Sequence, residues 1–108
     1  FIDCLFKPDY AGGIVEIARA IYISKEKIRF DILLDYVKKF DSQAVIKRLG
    51  FLLETLDINN SIIDELQKMK TASYVVADTE LPKTGKRISR WSIQQNIETE
   101  TIKSATYT

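Results

Sequence analysis

Side chains that support nucleophilic or metal chemistry are scarce in this sequence. Its 108 residues include one cysteine and no histidine. A Cys–His catalytic pair, histidine metal ligation and a thiolate zinc site are therefore excluded. Cys4 lies among Ile2, Leu5 and Phe6, a setting typical of an inert small hydrophobe in the core. We therefore expect no catalytic residue, no metal and no cofactor.

Two further groups of residues have suitable chemistry in an unsuitable setting. Asp31 and Asp35 are separated by one helical turn, and carboxylates at that spacing usually lie on a solvated helix face. Gly12 and Gly13 precede an apolar helical pattern without the strand and the glycine spacing of nucleotide-binding loops. An enzymatic function is accordingly not predicted.

Composition and charge limit the classes of protein that this chain can represent. About 45% of the residues are hydrophobic and the formal net charge is +1, so residues 1–108 suit a single domain with its own core. The near balance of charge argues against nucleic-acid binding through overall electrostatics. No segment is long and apolar enough for a membrane helix. A single cysteine favours a reducing cytoplasm, and the sequence leaves the oligomeric state open.

The spacing of apolar residues predicts about five helices in the first two thirds of the chain. The clearest stripe is Ile14, Ile17, Ala18 and Ile21, with the period of an amphipathic helix. Further helices are predicted before Pro8, from near Asp31, after a cap at Asp41 or Ser42, and after a capping box at Ser61 and Asp64. The tail after Ile97 either forms a last short helix or frays.

Two segments after Lys70 have the character of strands. "SYVVAD" (73–78) is β-branched, and "ISRWSIQQNI" (88–97) alternates between apolar and polar residues. The segment between them contains Pro82 and Gly85, which favour a loop. The predicted fold is therefore α+β: about five helices packed on a small antiparallel sheet formed by the C-terminal strands.

Two residues in the fourth predicted helix do not suit a core-facing position. Arg48 falls on the same face as Val45 and Leu52, so it needs either a carboxylate partner or a route to water. Asp3, the only acidic residue in the first apolar segment, is one candidate partner, and we expect a structural pair of Asp3 and Arg48. Gly50 predicts a close approach by a neighbouring element, against the alternative of a tolerated helix defect.

Positive charge is concentrated near the C-terminal strands. Lys83, Lys86, Arg87 and Arg90 occur between Leu81 and Ile97 without any acidic residue. A strand, a basic glycine-containing loop and a second strand would resemble the wing of a winged helix, which contacts phosphates. The alternative is that these charges only protect a sheet edge. Lys47, placed on the outer face of its helix, completes the predicted basic interaction surface.

The order of several motifs resembles the C-terminal domain of AbiEi-type antitoxins, which are predicted transcriptional regulators of viral defence systems. The matching segments are "IDCLFKPDYAGGIVEIARAI" (2–21), "LLDYVKKFDSQAVIKRLGFLLE" (33–54) and "KRISRWSIQQNI" (86–97). Within them the recurring features are Asp3-Cys4-Leu5, Tyr10-Ala11-Gly12-Gly13, Arg48-Leu49-Gly50 and Arg90-Trp91. The resemblance covers most of residues 2–97.

This resemblance implies a non-enzymatic regulatory domain. Such antitoxins join an N-terminal winged-helix domain, which represses its own operon, to a C-terminal domain that counters a nucleotidyltransferase-like toxin without being expected to bind it directly. The chain begins at Phe1 inside an apolar run, so we expect it to be the C-terminal domain of a longer protein whose winged-helix domain is absent here. The alternative is a self-sufficient winged-helix DNA-binding regulator whose fourth helix reads the bases. The local basic hairpin would offer nucleic acid a binding surface.

Overall fold

The computed structural model describes residues 2–106, so Phe1, which opens the first apolar run, and Tyr107 and Thr108, which end the predicted tail, lie outside it. Its helices are α1 (Ile2–Phe6), α2 (Ile14–Ser24), α3 (Phe30–Phe40), α4 (Gln43–Thr55), α5 (Ile62–Met69) and α6 (Thr99–Lys103). Short 3-10 helices occupy Pro8–Ala11 and Ser104–Thr106, and the strands are β1 (Val75–Val76), β2 (Lys86–Ile88) and β3 (Ile93–Gln95). The predicted α+β class is confirmed, and the tail forms a helix.

The helix ends lie where local sequence signals predict them, except that the cap of α5 comes from a different residue. Pro8 opens the 3-10 helix that follows α1, where its fixed φ angle and missing N–H are tolerated. The Ser42 hydroxyl accepts a hydrogen bond from Val45 N at 3.4 Å and caps α4 as predicted. The predicted cap at Ser61 does not form. Instead, the Asn60 side chain accepts a hydrogen bond from Ile62 N at 3.0 Å, because an Asn at this position reaches the first helical N–H.

Helix α4 lies at the centre of the molecule. It contacts α1, α5, α6 and β3, and every residue from Val45 to Leu53 is buried. A helix that is surrounded on all sides must bury its charged side chains together with its apolar ones. This position determines the environment of Lys47 and Arg48.

The sheet is mixed rather than antiparallel. Its strand order is β1-β3-β2, with β2 antiparallel to β3 and β1 parallel to β3. The chain reverses between β1 and β2 to reach the far edge, and it reverses again between β2 and β3. As a result β3 returns beside β1 in the same direction, so the prediction of an all-antiparallel sheet is wrong for β1.

The predicted strand from 88 to 97 is interrupted by a turn. Ile88 ends β2, and the chain turns through residues 89–92 before β3. Ser92 has a φ of 52°, in the left-handed region that extended strands do not visit. Trp91 and Ile93 are nevertheless both buried. The alternating pattern therefore predicted the burial of Trp91 and Ile93 correctly, but it was wrong for Ser92, a polar position that is also buried, and wrong in predicting a continuous strand.

Candidate functional site

Arg48 joins the end of α1 to β1 and α4. Its side chain is buried, with 3% of the residue exposed. The Nη1 atom donates hydrogen bonds to the carbonyl oxygens of Leu5 (2.9 Å) and Phe6 (3.0 Å), and Nε donates to the carbonyl of Val76 (3.0 Å). The carbonyls at a helix C-terminus lack partners within the helix. The guanidinium therefore satisfies groups that would otherwise be buried without a donor.

The predicted pair of Asp3 and Arg48 is wrong. Asp3 is exposed, and no ion pair joins it to Arg48. Arg48 does tie the first segment to α4, but through main-chain oxygens. The reason is geometric: the C-terminal end of α1 faces α4, while the Asp3 carboxylate remains in water.

Acidic residues from other segments balance the charge of Arg48. Burial lowers the pKa of Arg48, and the carboxylates of Asp78 and Asp9 act in the opposite direction. Asp78 is only 4% exposed, and its Oδ2 accepts a hydrogen bond from Ile14 N at 3.2 Å, at the start of α2. A Cβ atom on Gly13 would lie 3.1 Å from the same oxygen. The carboxylate thus caps α2 while it faces Arg48, which makes this cluster a structural centre.

Gly50 allows close packing, as predicted. A Cβ atom at this position would lie 2.2–2.5 Å from three ring carbons of Trp91, far inside any contact distance. Trp91 is 1% exposed, and its indole N–H donates to the Glu54 carboxylate. Arg90 Nε donates to the same Glu54 oxygen at 2.6 Å, and these bonds lower the pKa of Glu54 with Arg90 as the main cause. The Arg90-Trp91 motif therefore fixes a large ring over α4.

Lys47 does not lie on the outer face of α4, so its assignment to an exposed basic surface is wrong. It is 0% exposed. Its ammonium donates hydrogen bonds to Thr71 Oγ1 at 3.1 Å, to Ser73 Oγ at 3.3 Å and to the carbonyl oxygen of Ser73. The segment that follows α5 covers this face, which would be exposed on an isolated helix. Burial and, to a smaller extent, the charge of Lys70 lower the pKa of Lys47.

The remaining predicted basic residues do not form one face. Lys86 and Arg87 are consecutive in β2, so their side chains point to opposite sides of the sheet. The Arg87 guanidinium lies 5.1 Å from the ring centroid of Tyr74. The Gln94 amide, opposite Arg87 in the register, donates to the carbonyl of Lys83 at 3.4 Å. Arg87, Tyr74 and the main chain at Lys83 therefore lie on one side of the sheet, and Arg90 belongs to the Trp91 contact.

The comparison with a winged-helix wing does not hold for this segment. The hairpin is β2–β3, and its turn at 89–92 contains Arg90 rather than the glycine-containing basic loop. The loop before β2 is instead held to the sheet, because the Asn96 amide donates to the carbonyls of Asp78 (2.7 Å) and Pro82 (3.0 Å). Helix α4 is equally unsuited to reading bases, since its residues from 45 to 53 are buried.

The remaining features of residues 2–106 do not provide a further candidate site. A cleft between α1 and α3 is lined by four apolar or aromatic residues and two charged ones: Ile2, Leu33, Tyr36, Phe40, Asp3 and Lys39. Within the described range no group of three or more potential metal ligands comes together. None of the helices in that range has the length and apolar character needed to cross a membrane.

Comparisons with protein-family models, with curated proteins and with solved structures found no match to this chain. The site must therefore be judged from its own geometry.

Sequence reasoning missed two groups of interacting residues. One is Asp78, the counter-charge of Arg48. The other consists of Thr71 and Ser73, which bind Lys47, and of Lys70 with its partner Ser92. A signal for the burial of Lys47 was present, because its helical neighbours Ala44, Gly50 and Phe51 carry no charge. Nothing in the local sequence indicated that Thr71 and Ser73 would be its hydrogen-bond partners.

Proposed function

We propose that this chain is a non-enzymatic C-terminal antitoxin domain of an AbiEi-like transcriptional regulator, acting in the cytoplasm against a nucleotidyltransferase-like toxin. One observation supports the proposal: residues from different segments that resemble the family contact each other in the folded chain. Arg48 binds the carbonyls at the end of α1, and Gly50 accommodates Trp91. Residues that recur together in a family are expected to have such mutual contacts.

The surface best suited to this function combines Lys83 and Arg87 with Tyr74. These residues are exposed, and the guanidinium beside an aromatic ring offers both charge and a flat apolar surface. Cations position phosphates, and aromatic rings stack on unpaired bases. Nucleic acid is therefore the partner that this surface suits, in accordance with an antitoxin that does not bind its toxin directly.

A growth assay tests the antitoxin function. Expression of a nucleotidyltransferase-like toxin of this operon type arrests a bacterial culture, and co-expression of this chain is expected to restore growth. Failure of the wild-type chain to restore growth, at confirmed expression of folded protein, would refute the antitoxin function.

Charge reversal tests the surface separately. The double variant Lys83→Glu/Arg87→Glu is expected to lose the restoration of growth, while its thermal melting curve stays close to that of the wild type. The matched control is Lys38→Glu/Lys39→Glu, which reverses two exposed charges on α3 and should retain full restoration. Retained activity in the first variant would refute this surface and leave the antitoxin function standing.

A further inference from the structure

Lys47, which is buried, and Lys70, which is partly exposed, lie near each other without a carboxylate partner within residues 2–106. Lys47 is 0% exposed, and no ion pair within residues 2–106 involves either lysine. The partners of both ammonium groups are neutral oxygens of Thr71, Ser73 and Ser92. An ionised amine removed from water without an opposite charge is unfavourable. This lysine–hydroxyl cluster therefore favours a negatively charged ligand.

The hydroxyl groups of the cluster are oriented as donors. The Lys47 ammonium has three N–H groups, and these are taken up by Thr71 Oγ1, Ser73 Oγ and the Ser73 carbonyl oxygen. Since both hydroxyl oxygens accept from Lys47, their own hydrogens point elsewhere. The two hydroxyls lie 3.3 Å apart, a contact that engages one hydrogen. The other remains available on the exposed side of the segment.

Lys70 supplies the second positive charge of the cluster. Its Nζ donates to Ser92 Oγ at 2.9 Å, which leaves the other two N–H groups of the ammonium for a ligand. Lys70 is partly exposed, whereas Ser92 is 2% exposed. The cluster thus has one buried cation, Lys47, and one cation that solvent can reach, Lys70.

We propose that the lysine–hydroxyl cluster binds the phosphate group of a small phosphate compound. A phosphate has several acceptor oxygens, enough to accept from the Lys70 ammonium and from a Thr71 or Ser73 hydroxyl at once. Its charge also balances the two lysines, one of them through the intervening hydroxyls. This site is separate from the Lys83 and Arg87 surface and does not depend on the proposed antitoxin function.

A nuclear magnetic resonance titration of the full chain tests this site. Inorganic phosphate and a nucleoside 5′-monophosphate are added separately at constant ionic strength, with sodium chloride as the reference. Saturable shifts are expected in the amide signals of residues 70–74 and 92. Loss of one charge-assisted hydrogen bond in Lys70→Gln should weaken binding about tenfold, whereas Lys68→Gln, an exposed neighbour paired with Glu65, should bind as the wild type does.

A second variant keeps the test independent of the fold. Ser73→Ala together with Thr71→Val removes both hydroxyls and retains the carbonyl that Lys47 contacts, and it should also weaken binding. Saturation by both compounds with equal affinity would support a site for the phosphate group alone, and tighter binding of the nucleotide would support a phosphomonoester as its source. Shifts that do not saturate, or that persist equally in Lys70→Gln and Lys68→Gln, would overturn the proposal.

Discussion

Lys47 and Arg48 are consecutive residues of the central helix, both are buried, and their surroundings differ in kind. Arg48 donates to the carbonyls of Leu5, Phe6 and Val76, and the carboxylates of Asp78 and Asp9 favour its charged form. Lys47 donates to hydroxyls and a carbonyl in an exposed segment, and its charged neighbour is another lysine, Lys70. Burial alone thus does not distinguish the two cations.

The difference separates a fold determinant from a candidate binding residue. Counter-charge and buried acceptors make Arg48 part of the structure, since each of its partners would be left unsatisfied without it. The charge of Lys47 is not balanced by any ion pair within residues 2–106, and it can act on an outside ligand through the hydroxyls of Thr71 and Ser73.

Replacement of Arg48 is expected to have the largest effect. Arg48→Met leaves the carbonyls of Leu5, Phe6 and Val76 without their side-chain donor and removes the positive charge that Asp78 balances, and it should reduce the free energy of unfolding by about 3–5 kcal/mol. Urea denaturation measures this change. Arg19→Met, at a partly exposed arginine of α2 paired with Glu16, is the control and should change stability by less than about 1 kcal/mol. Equal losses in the two variants would contradict the structural role of Arg48.

Gly50→Ala adds a steric change to the same helix without altering any charge. The new methyl group would overlap the ring of Trp91, at 2.2 Å from its nearest carbon. We expect destabilisation by about 1–3 kcal/mol from overpacking, although alanine is the better helix former. Thermal melting measures this loss, with tryptophan fluorescence reporting the displaced ring. An increase in stability would show that the Trp91 ring moves aside at little energetic cost.

Lys47→Met should change stability least at neutral pH, because its hydroxyl partners Thr71 and Ser73 are exposed and water can replace the ammonium. The expected loss is within about 1 kcal/mol, near the net contribution of one ordinary hydrogen bond.

The pH dependence of Lys47→Met tests the environment of the lysine. The pKa of Lys47 in the folded chain is below its ordinary value of 10.5, so between these two values the unfolded chain binds more protons. The Lys47 contribution to the free energy of unfolding therefore rises with pH through this window, and the variant lacks that rise. Denaturation midpoints of both proteins across the alkaline range measure the difference, and parallel curves would contradict the desolvation of Lys47.

Local patterns predicted the elements more reliably than their arrangement. The apolar stripe of α2 and the Ser42 cap were predicted correctly because helical period and capping depend on neighbours a few residues away. The parallel pairing of β1 with β3 was missed, since a strand sequence does not specify the direction of its partner. The split at Ser92 was missed because its left-handed backbone is imposed by the turn around Trp91.

The sequence by itself determined that the chain forms an α+β fold, that Gly50 accommodates a neighbour, and that Arg48 is tied to the first segment. The fold class follows from hydrophobic periodicity, and the other two follow from residue types that violate the pattern around them. Only the tertiary structure decided that main-chain carbonyls rather than Asp3 accept hydrogen bonds from Arg48, and that residues 71–73 cover Lys47. The physical reason is that partners some 24 to 43 positions away are chosen by packing of the whole chain and leave no local periodicity to read.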